Sequence, residues 1–166
     1  KNINNPKLKR NDCIWNYGYI YHFIKQSNKF SKDTVGLEVL HAGLRGKVKD
    51  MAKAIINTCK LDKFQPSDIK PFRKIVGIDA ASSEIDCRPE VFAHVFRYIR
   101  KLDGNMGVTY HVGEDFYDLA DGLRAIDECI LFMDYHNGDR LGHALALGID
   151  VEQYLSRRRY VISMPK

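Results

Sequence analysis

Three short segments of this 166-residue chain carry residue types that could activate water and move protons. They are GIDAASSE with Asp79, TYHVGED with His111 and Glu114, and DRLGHAL with His143. An imidazole, a carboxylic acid three residues later and a second imidazole farther along could supply a metal ligand, a proton donor and a base. Each residue alone is better explained as an ordinary core or surface group, so the prediction rests on their combination.

The segments that must position these residues show an alternating pattern. Short apolar runs flanked by charge predict strands at 74–81, 106–114, 138–147 and 160–165. Apolar residues at helical spacing predict intervening helices at 88–102, from about Leu119 to Met133, and at VEQYLSR. The apolar face of the helix at 88–102 would consist of Val91, Phe92, Val95, Phe96 and Ile99.

Upstream of residue 74 the pattern predicts one further strand and one further helix. Residues 14–25 are rich in β-branched and aromatic side chains, which favours a strand. Residues 45–60 predict a helix, because one stripe at helical spacing contains Val48, Met51, Ala52, Ile55, Ile56 and Cys59.

This alternation is typical of consecutive βα units around a parallel sheet. We predict an α/β fold in which residues 1–166 form one partial domain. That domain would be the middle to C-terminal part of a (β/α)8 barrel of the TIM type, incomplete at both ends; a doubly wound sheet is the alternative. Side chains at the carboxyl ends of parallel barrel strands converge on one face, where such enzymes keep their active sites.

Composition excludes several classes of protein. With 45% hydrophobic and 28% charged residues, the chain has the composition of an ordinary globular protein. It has neither an apolar run long enough for a membrane span nor an N-terminal signal segment, so no membrane partner is expected. The four cysteines form no CxxC pair, which favours free thiols in the cytoplasm.

Since the first residue is Lys1 rather than Met, we expect the chain to be cut from a longer protein.

The charge pattern permits an anionic partner without indicating one. The net charge of +5 is mild and fits a solvated surface. HAGLRGK, at 41–47, has two glycines and two cations that could hold a phosphate. Because no P-loop spacing surrounds it, an ordinary helix start is the simpler interpretation.

His136, in the DYHNGD segment, is interpreted as a surface loop residue.

The motifs resemble those of a known family. HVGE and DRLGHAL resemble the HAGE and RIGHG segments of adenosine deaminases, which belong to the metal-dependent amidohydrolase barrels, and GIDAASSE resembles their GIDLAGDE strand. The resemblance covers residues 74–165. The longer string from HVGEDF through GLRAIDE to GDRLGHALALGID is similar to the large bacterial deaminase subunits of the RADAR antiphage defence system.

The resemblance implies a role for each matched residue. His111 would be a ligand of Zn²⁺, which lowers the pKa of bound water to about 7. Glu114 would protonate N1 of the purine and contact the substrate while hydroxide attacks C6, and His143 would orient and deprotonate the water. Ser82 would lie against the substrate, at the place where the family has a glycine whose backbone N–H meets the purine.

The chain also departs from the family pattern. No two of its six histidines are separated by one residue, so the paired HxH ligands of the first barrel strand are absent. The last-strand aspartate would lie beyond Lys166, and Met164-Pro165 replaces a common CP pair. One ligand cannot hold a catalytic zinc, so these 166 residues alone are expected to be inactive.

The expected function is therefore that of a zinc-dependent hydrolase acting within a longer parent protein. It would convert an adenine nucleoside or nucleotide to the inosine form with release of ammonia. The alternatives are another amidohydrolase reaction, such as deamination of AMP, and a barrel that serves as a non-catalytic scaffold or assembly subunit. The expected partners are the adenosine-type substrate, the rest of the barrel, further copies of the chain and a defence ATPase, and RNA stays open as a substrate.

Overall fold

A computed structural model describes residues 18–27, 41–61 and 75–161 of the chain. These residues form an alternating series of strands and helices. The strands are β1 (Tyr19–Ile24), β2 (Ile75–Ala81), β3 (Gly107–Val112) and β4 (Arg140–His143). The helices are α1 (Ala42–Leu61), α2 (Glu90–Leu102), α3 (Leu119–Phe132) and α4 (Val151–Arg157), with a 3₁₀ turn at Leu145–Gly148 before α4.

The sheet contains four strands in the order β1-β2-β3-β4, and every neighbouring pair is parallel. A sequential order without reversal is what consecutive βα units produce, because each right-handed crossover returns the chain beside the strand it has just left. The predicted α/β class and parallel sheet are therefore confirmed. Closure of this sheet into a barrel stays a prediction.

The helix stripes explain how the layers pack. All five residues predicted for the inner face of α2 are buried, namely Val91, Phe92, Val95, Phe96 and Ile99. The ring of Phe96 packs edge-on against Tyr110 of β3 at 5.6 Å between centroids. On α1 the predicted stripe is wrong at Met51, which is 39% exposed, whereas its other five members are buried. The buried face of α1 is narrower than the periodicity indicates.

Several predicted boundaries differ from the structure. The strand expected at 138–147 ends at His143, because His143 and Ala144 adopt positive φ angles of 59° and 48° that turn the chain out of the sheet. The strand expected at 106–114 ends at Val112, one residue before Gly113, which has a φ of 73°. Of the strand expected at 160–165, Tyr160 is in a turn, and residues 162–166 lie outside the described residues.

The amino-terminal edge of the sheet is held together by Asp139. Its Oδ1 accepts a hydrogen bond from the backbone N–H of Val108 at 3.0 Å. Its Oδ2 accepts from Arg100 Nη2 at 2.6 Å and from the backbone N–H of His136 at 2.7 Å. Because Asp139 is buried, this carboxylate joins the start of β3, the end of α2 and the loop before β4. His136 itself is exposed, as expected for a loop residue.

The cysteines among the described residues are free thiols. Cys59, Cys87 and Cys129 are all buried and unbridged, as predicted. Burial raises the pKa of the Cys129 thiol to about 12, so it stays protonated at neutral pH. Within the part of the chain that the structure describes, no helix is long and apolar enough to cross a membrane.

Candidate active site

The carboxyl-terminal edge of the sheet brings the predicted catalytic residues together. His111 is the next-to-last residue of β3 and lies opposite Gly142 of β4, so His143 stands one residue farther along the neighbouring strand. The two imidazole rings are 4.9 Å apart between centroids. Glu114 follows β3 after a single glycine, which returns its side chain toward the same edge.

Glu114 and His143 form a polar pair. Glu114 Oε2 lies 3.3 Å from His143 Nε2, and the two side chains are 42% and 44% exposed. A carboxyl group and an imidazole at this distance can share a proton, and their exposure leaves both accessible to water and to a ligand. The direct contact between Glu114 and His143 was not predicted from the sequence, which indicated only that the two residues would lie at the same end of the sheet.

Asp79 of β2 lies beside two imidazoles at the base of the site. It is 1% exposed, and its Oδ2 lies 2.9 Å from His22 Nδ1 and 2.8 Å from His111 Nδ1. Neither contact is aligned as a hydrogen bond, and neither carboxylate oxygen has a hydrogen-bond partner within the described ranges. A buried carboxylate of this kind needs cationic or proton-bearing neighbours, and the two rings are placed to supply them.

His22 was not identified as a site residue from the sequence. It belongs to β1 and lies opposite Asp79 in the parallel register, with its ring centroid 6.1 Å from that of His111. A signal was present, since His22 and Asp79 each precede the last residue of their strands by two positions. The predicted strand at 14–25 ends one residue after β1 does. With that end, His22 and Asp79 do not occupy equivalent positions in their strands, so the sequence did not indicate that they are neighbours.

The turn that carries Glu114 is held by a second acid that the sequence analysis did not identify. Glu84 Oε2 accepts a hydrogen bond from the backbone N–H of Gly113 at 2.7 Å, and its Oε1 accepts one from the N–H of Glu114 at 3.1 Å. Gly113 has a φ of 73°, in the left-handed region that favours glycine, and it makes the turn between His111 and Glu114. A Cβ at Gly113 would lie 2.5 Å from Ile126 Cδ1, so the position also requires a small residue.

A buried lysine fixes the backbone on the other side of His111. Lys25 Nζ donates a hydrogen bond to the carbonyl oxygen of His111 and lies 4.6 Å from the ring centroid of Tyr110. Burial lowers the pKa of Lys25, and the negative charge of Glu84 partly opposes this effect. The strand end that presents His111 is therefore held from both sides, by a cation at its carbonyl and by an acid at the following turn.

Ser82 lies at the same edge, immediately after β2. Its side chain is exposed and its φ is 84°, in the left-handed region that favours glycine. A serine in this conformation is strained by about 1–3 kcal/mol. The backbone at Ser82 therefore adopts a conformation that glycine would accept without strain.

The described residues do not form a complete metal centre. Within residues 18–27, 41–61 and 75–161, no three His, Cys, Asp or Glu side chains are placed to hold a metal ion. The donor types at the edge are those that zinc prefers, and a carboxylate beside the Nδ1 of a histidine is the usual support for a metal-binding imidazole. His111 with Asp79 behind it fits one ligand of such a site, but a catalytic zinc needs three.

No protein-family model matches the chain, and no curated protein is significantly similar to it. The geometry of the site, rather than overall sequence similarity, must therefore carry any functional conclusion.

Proposed function

We propose that this chain contributes the proton-transfer residues of a zinc-dependent hydrolase that deaminates an adenine nucleoside or nucleotide to the inosine form and releases ammonia. The observation that carries the proposal is the convergence of His111, Glu114 and His143 at the carboxyl edge of a parallel sheet. Each of the three side chains contacts a partner in this cluster at hydrogen-bond or ion-pair distance.

The two groups of the Glu114–His143 pair have complementary tasks in this reaction. Water adds to C6 of the purine, and the ring nitrogen N1 gains a proton as C6 becomes tetrahedral. Glu114 donates that proton, and His143 accepts the proton that the attacking water loses. The C6 hydroxyl then loses its proton as the C6–O double bond forms, and the amino group gains a proton and leaves as ammonia when the C6–N bond breaks. Their 3.3 Å separation lets a proton pass between them, so the pair returns to its starting state.

The buried residues behind the pair hold it in place. Asp79 lies against the ring of His111 at ion-pair distance, and Lys25 donates a hydrogen bond to the carbonyl oxygen of His111. Glu84 restrains the backbone of Glu114. Bound zinc would supply hydroxide at neutral pH. His111 is the described residue proposed to bind it, and the other protein ligands would come from elsewhere in the protein.

The proposal includes a barrel and a cytoplasmic setting. Four sequential parallel strands with crossover helices correspond to about half of a (β/α)8 barrel. Exposed apolar side chains at both ends of the described series, such as Tyr19 and Leu147, would be covered by the remaining units or by further copies of the chain. Buried free thiols fit a reducing compartment.

One observation favours a second candidate, a barrel that acts as a scaffold or assembly subunit, for example beside an ATPase. The described residues lack a three-ligand metal site. A chain that kept the fold but never acquired the other ligands would keep its parallel sheet and lose the reaction. Zinc content of the full-length protein distinguishes this candidate from the enzyme.

The decisive experiment uses the full-length protein with its zinc content measured beforehand. Adenosine, AMP, ATP and an adenosine-containing RNA are offered in parallel, and both the ultraviolet change and the ammonia released are followed. We expect conversion of at least one substrate, and a loss of about 10²–10⁴-fold in Glu114→Gln because the proton donor is removed.

Glu152→Gln is the matched control, since Glu152 is exposed on α4 and forms no hydrogen bond or ion pair with His111, Glu114 or His143 in the described structure. It should retain wild-type activity. A zinc-loaded protein that converts none of the four substrates would overturn the enzyme proposal and favour the scaffold.

A further inference from the structure

A groove on the helical layer is separate from the site at the sheet edge. It has a volume of about 260 Å³ and lies between α1 and α2. Its lining consists of Lys49, Lys53, His94, Val95 and Tyr98. No strand residue lines it, so it does not belong to the cluster around His111.

Positive charge converges on this groove. Arg45, Lys49 and Lys53 are spaced four residues apart on α1 and therefore share one face of that helix. Lys53 also contacts Asp50 at 3.1 Å. Because this ion pair is exposed to solvent, the attraction between its two charges is weak. Arg45 donates to the backbone carbonyl of Glu90 at 3.0 Å, which leaves its positive charge unneutralised by that contact.

The surroundings of His94, the histidine of the groove, are also rich in positive charge. Burial and three neighbouring cations lower the pKa of the His94 imidazole. The cations are Arg45, Lys49 and Arg97. Nδ1 of His94 is buried, and a hydrogen bond from the ring to the backbone of Val91 only partly opposes the lowering of the pKa. An anion in the groove would reduce this mutual repulsion.

The floor of the groove is apolar and aromatic. Val95 is buried, while the ring of Tyr98 is 44% exposed. Lysine side chains beside an accessible aromatic ring are the combination that binds a phosphate together with a planar base: the ammonium groups contact the phosphate, and the base stacks on the ring. With a volume of about 260 Å³, the groove is close to the lower end of the roughly 300–1,000 Å³ that small-molecule sites span.

We propose that the groove between α1 and α2 binds a nucleoside phosphate, with the phosphate against Lys49 and Lys53 and the base against Tyr98. The ligand chemistry is the same whether the phosphate belongs to a free nucleotide or to single-stranded RNA. This binding site is independent of the deamination proposed above, and it does not require an adenine base.

The test therefore uses ligands that lack adenine. Inorganic phosphate, uridine 5′-monophosphate and a short oligouridylate are titrated into the full-length protein, and binding is followed by calorimetry and by fluorescence anisotropy of labelled oligouridylate. In the double variant Lys49→Glu/Lys53→Glu we expect affinity for the oligouridylate to fall by about tenfold or more, with a weaker salt dependence.

The matched control is Lys47→Glu/Lys101→Glu, which makes the same change in net charge at exposed lysines of the same two helices outside the groove. It should bind within about twofold to threefold of the wild type, where only the general attraction of a basic surface is affected. Far-ultraviolet circular dichroism and thermal unfolding establish that both double variants are folded. Equal losses in the two double variants would overturn the proposal.

Tyr98→Ala separates the base from the phosphate. It should weaken the two uridine ligands severalfold and leave inorganic phosphate unchanged, because only the uridine ligands can stack. A much higher affinity for oligouridylate than for uridine 5′-monophosphate would identify single-stranded RNA as the source of the phosphate, and equal affinities would identify the free nucleotide. Absence of binding by all three ligands at millimolar concentration would overturn the site itself.

Discussion

Replacement of Glu84 by alanine should loosen the turn that presents Glu114 without unfolding the protein. The Glu84 carboxylate accepts hydrogen bonds from two consecutive backbone N–H groups, at 2.7 Å from Gly113 and 3.1 Å from Glu114. A hydrogen bond to a charged acceptor contributes about 1.5–3 kcal/mol when its partner would otherwise stay buried and unpaired. Gly113 is buried and Glu114 is exposed, so water can replace only the second bond well.

We therefore expect local opening of this turn to become easier by about 2–3 kcal/mol in Glu84→Ala. Glu84→Gln keeps one acceptor oxygen and should show about half of that effect. Hydrogen exchange of the Gly113 and Glu114 amides, followed by nuclear magnetic resonance, measures the opening directly. Since about 1.4 kcal/mol corresponds to tenfold, protection of the Gly113 amide should fall by roughly 30-fold to 150-fold in the alanine variant.

Glu152→Ala serves as the control for the loss of an exposed acid, and urea unfolding measures global stability in parallel. Protection at Gly113 that stays within twofold of the wild type in Glu84→Ala would refute the reasoning. So would a loss of protection spread uniformly over β3, since that would reflect global destabilisation rather than release of one turn.

Three further predictions concern the backbone around the site. Ser82→Gly should raise the free energy of unfolding by about 1 kcal/mol, because a φ of 84° is strained for serine; urea denaturation checks this, and a lower stability would contradict it. Gly113→Ala should lower stability by about 1–3 kcal/mol, because its Cβ would lie 2.5 Å from Ile126 Cδ1 at a φ of 73°; an unchanged urea midpoint would show that the turn relaxes freely. The pKa of Lys25 is lowered from 10.5 by burial, so above the lowered pKa the unfolded chain holds more protons and the free energy of unfolding contributed by this group rises with pH up to about 10.5. Lys25→Met should lack that rise in urea unfolding between pH 8 and 10.5, and identical pH dependence in the two proteins would contradict the assignment.

The alternation of elements could be predicted because each one has a local signal. The apolar runs that became β2 and β3 and the stripe on α2 are short-range patterns, and burial of all five predicted α2 residues confirms them. Met51 shows the limit of such patterns. Helical spacing places it near the inner stripe, but whether a marginal position is covered depends on the neighbouring helix, which a periodicity does not specify.

Site residues could be predicted from the sequence only where a reactive side chain lies at the end of a predicted strand. His111 and His143 meet because parallel strands finish at a common edge, which a sequence can indicate. The contact between Asp79 and His22 depends on the register between β1 and β2, and the contact of Glu84 with Gly113 depends on how the chain leaves β2. Both are set by packing between segments distant in sequence. The match between His22 and Asp79 could be recognised only with the exact end of β1, and no local pattern indicates the contact of Glu84.

The carboxylate of Asp139 has a consequence for how this protein can evolve. It ties three segments together at the amino-terminal edge of the sheet, whereas the histidines and acids of the candidate site all lie at the opposite edge. The contacts of Asp139 thus stabilise the sheet at the end opposite the candidate site. Loops at the carboxyl edge can vary in length and sequence, which would change what the site binds. The hydrogen bonds of Asp139 at the other end keep the strands in register meanwhile. If the chain has the function proposed above, the substrate could change in related proteins without loss of the contacts that Asp139 makes.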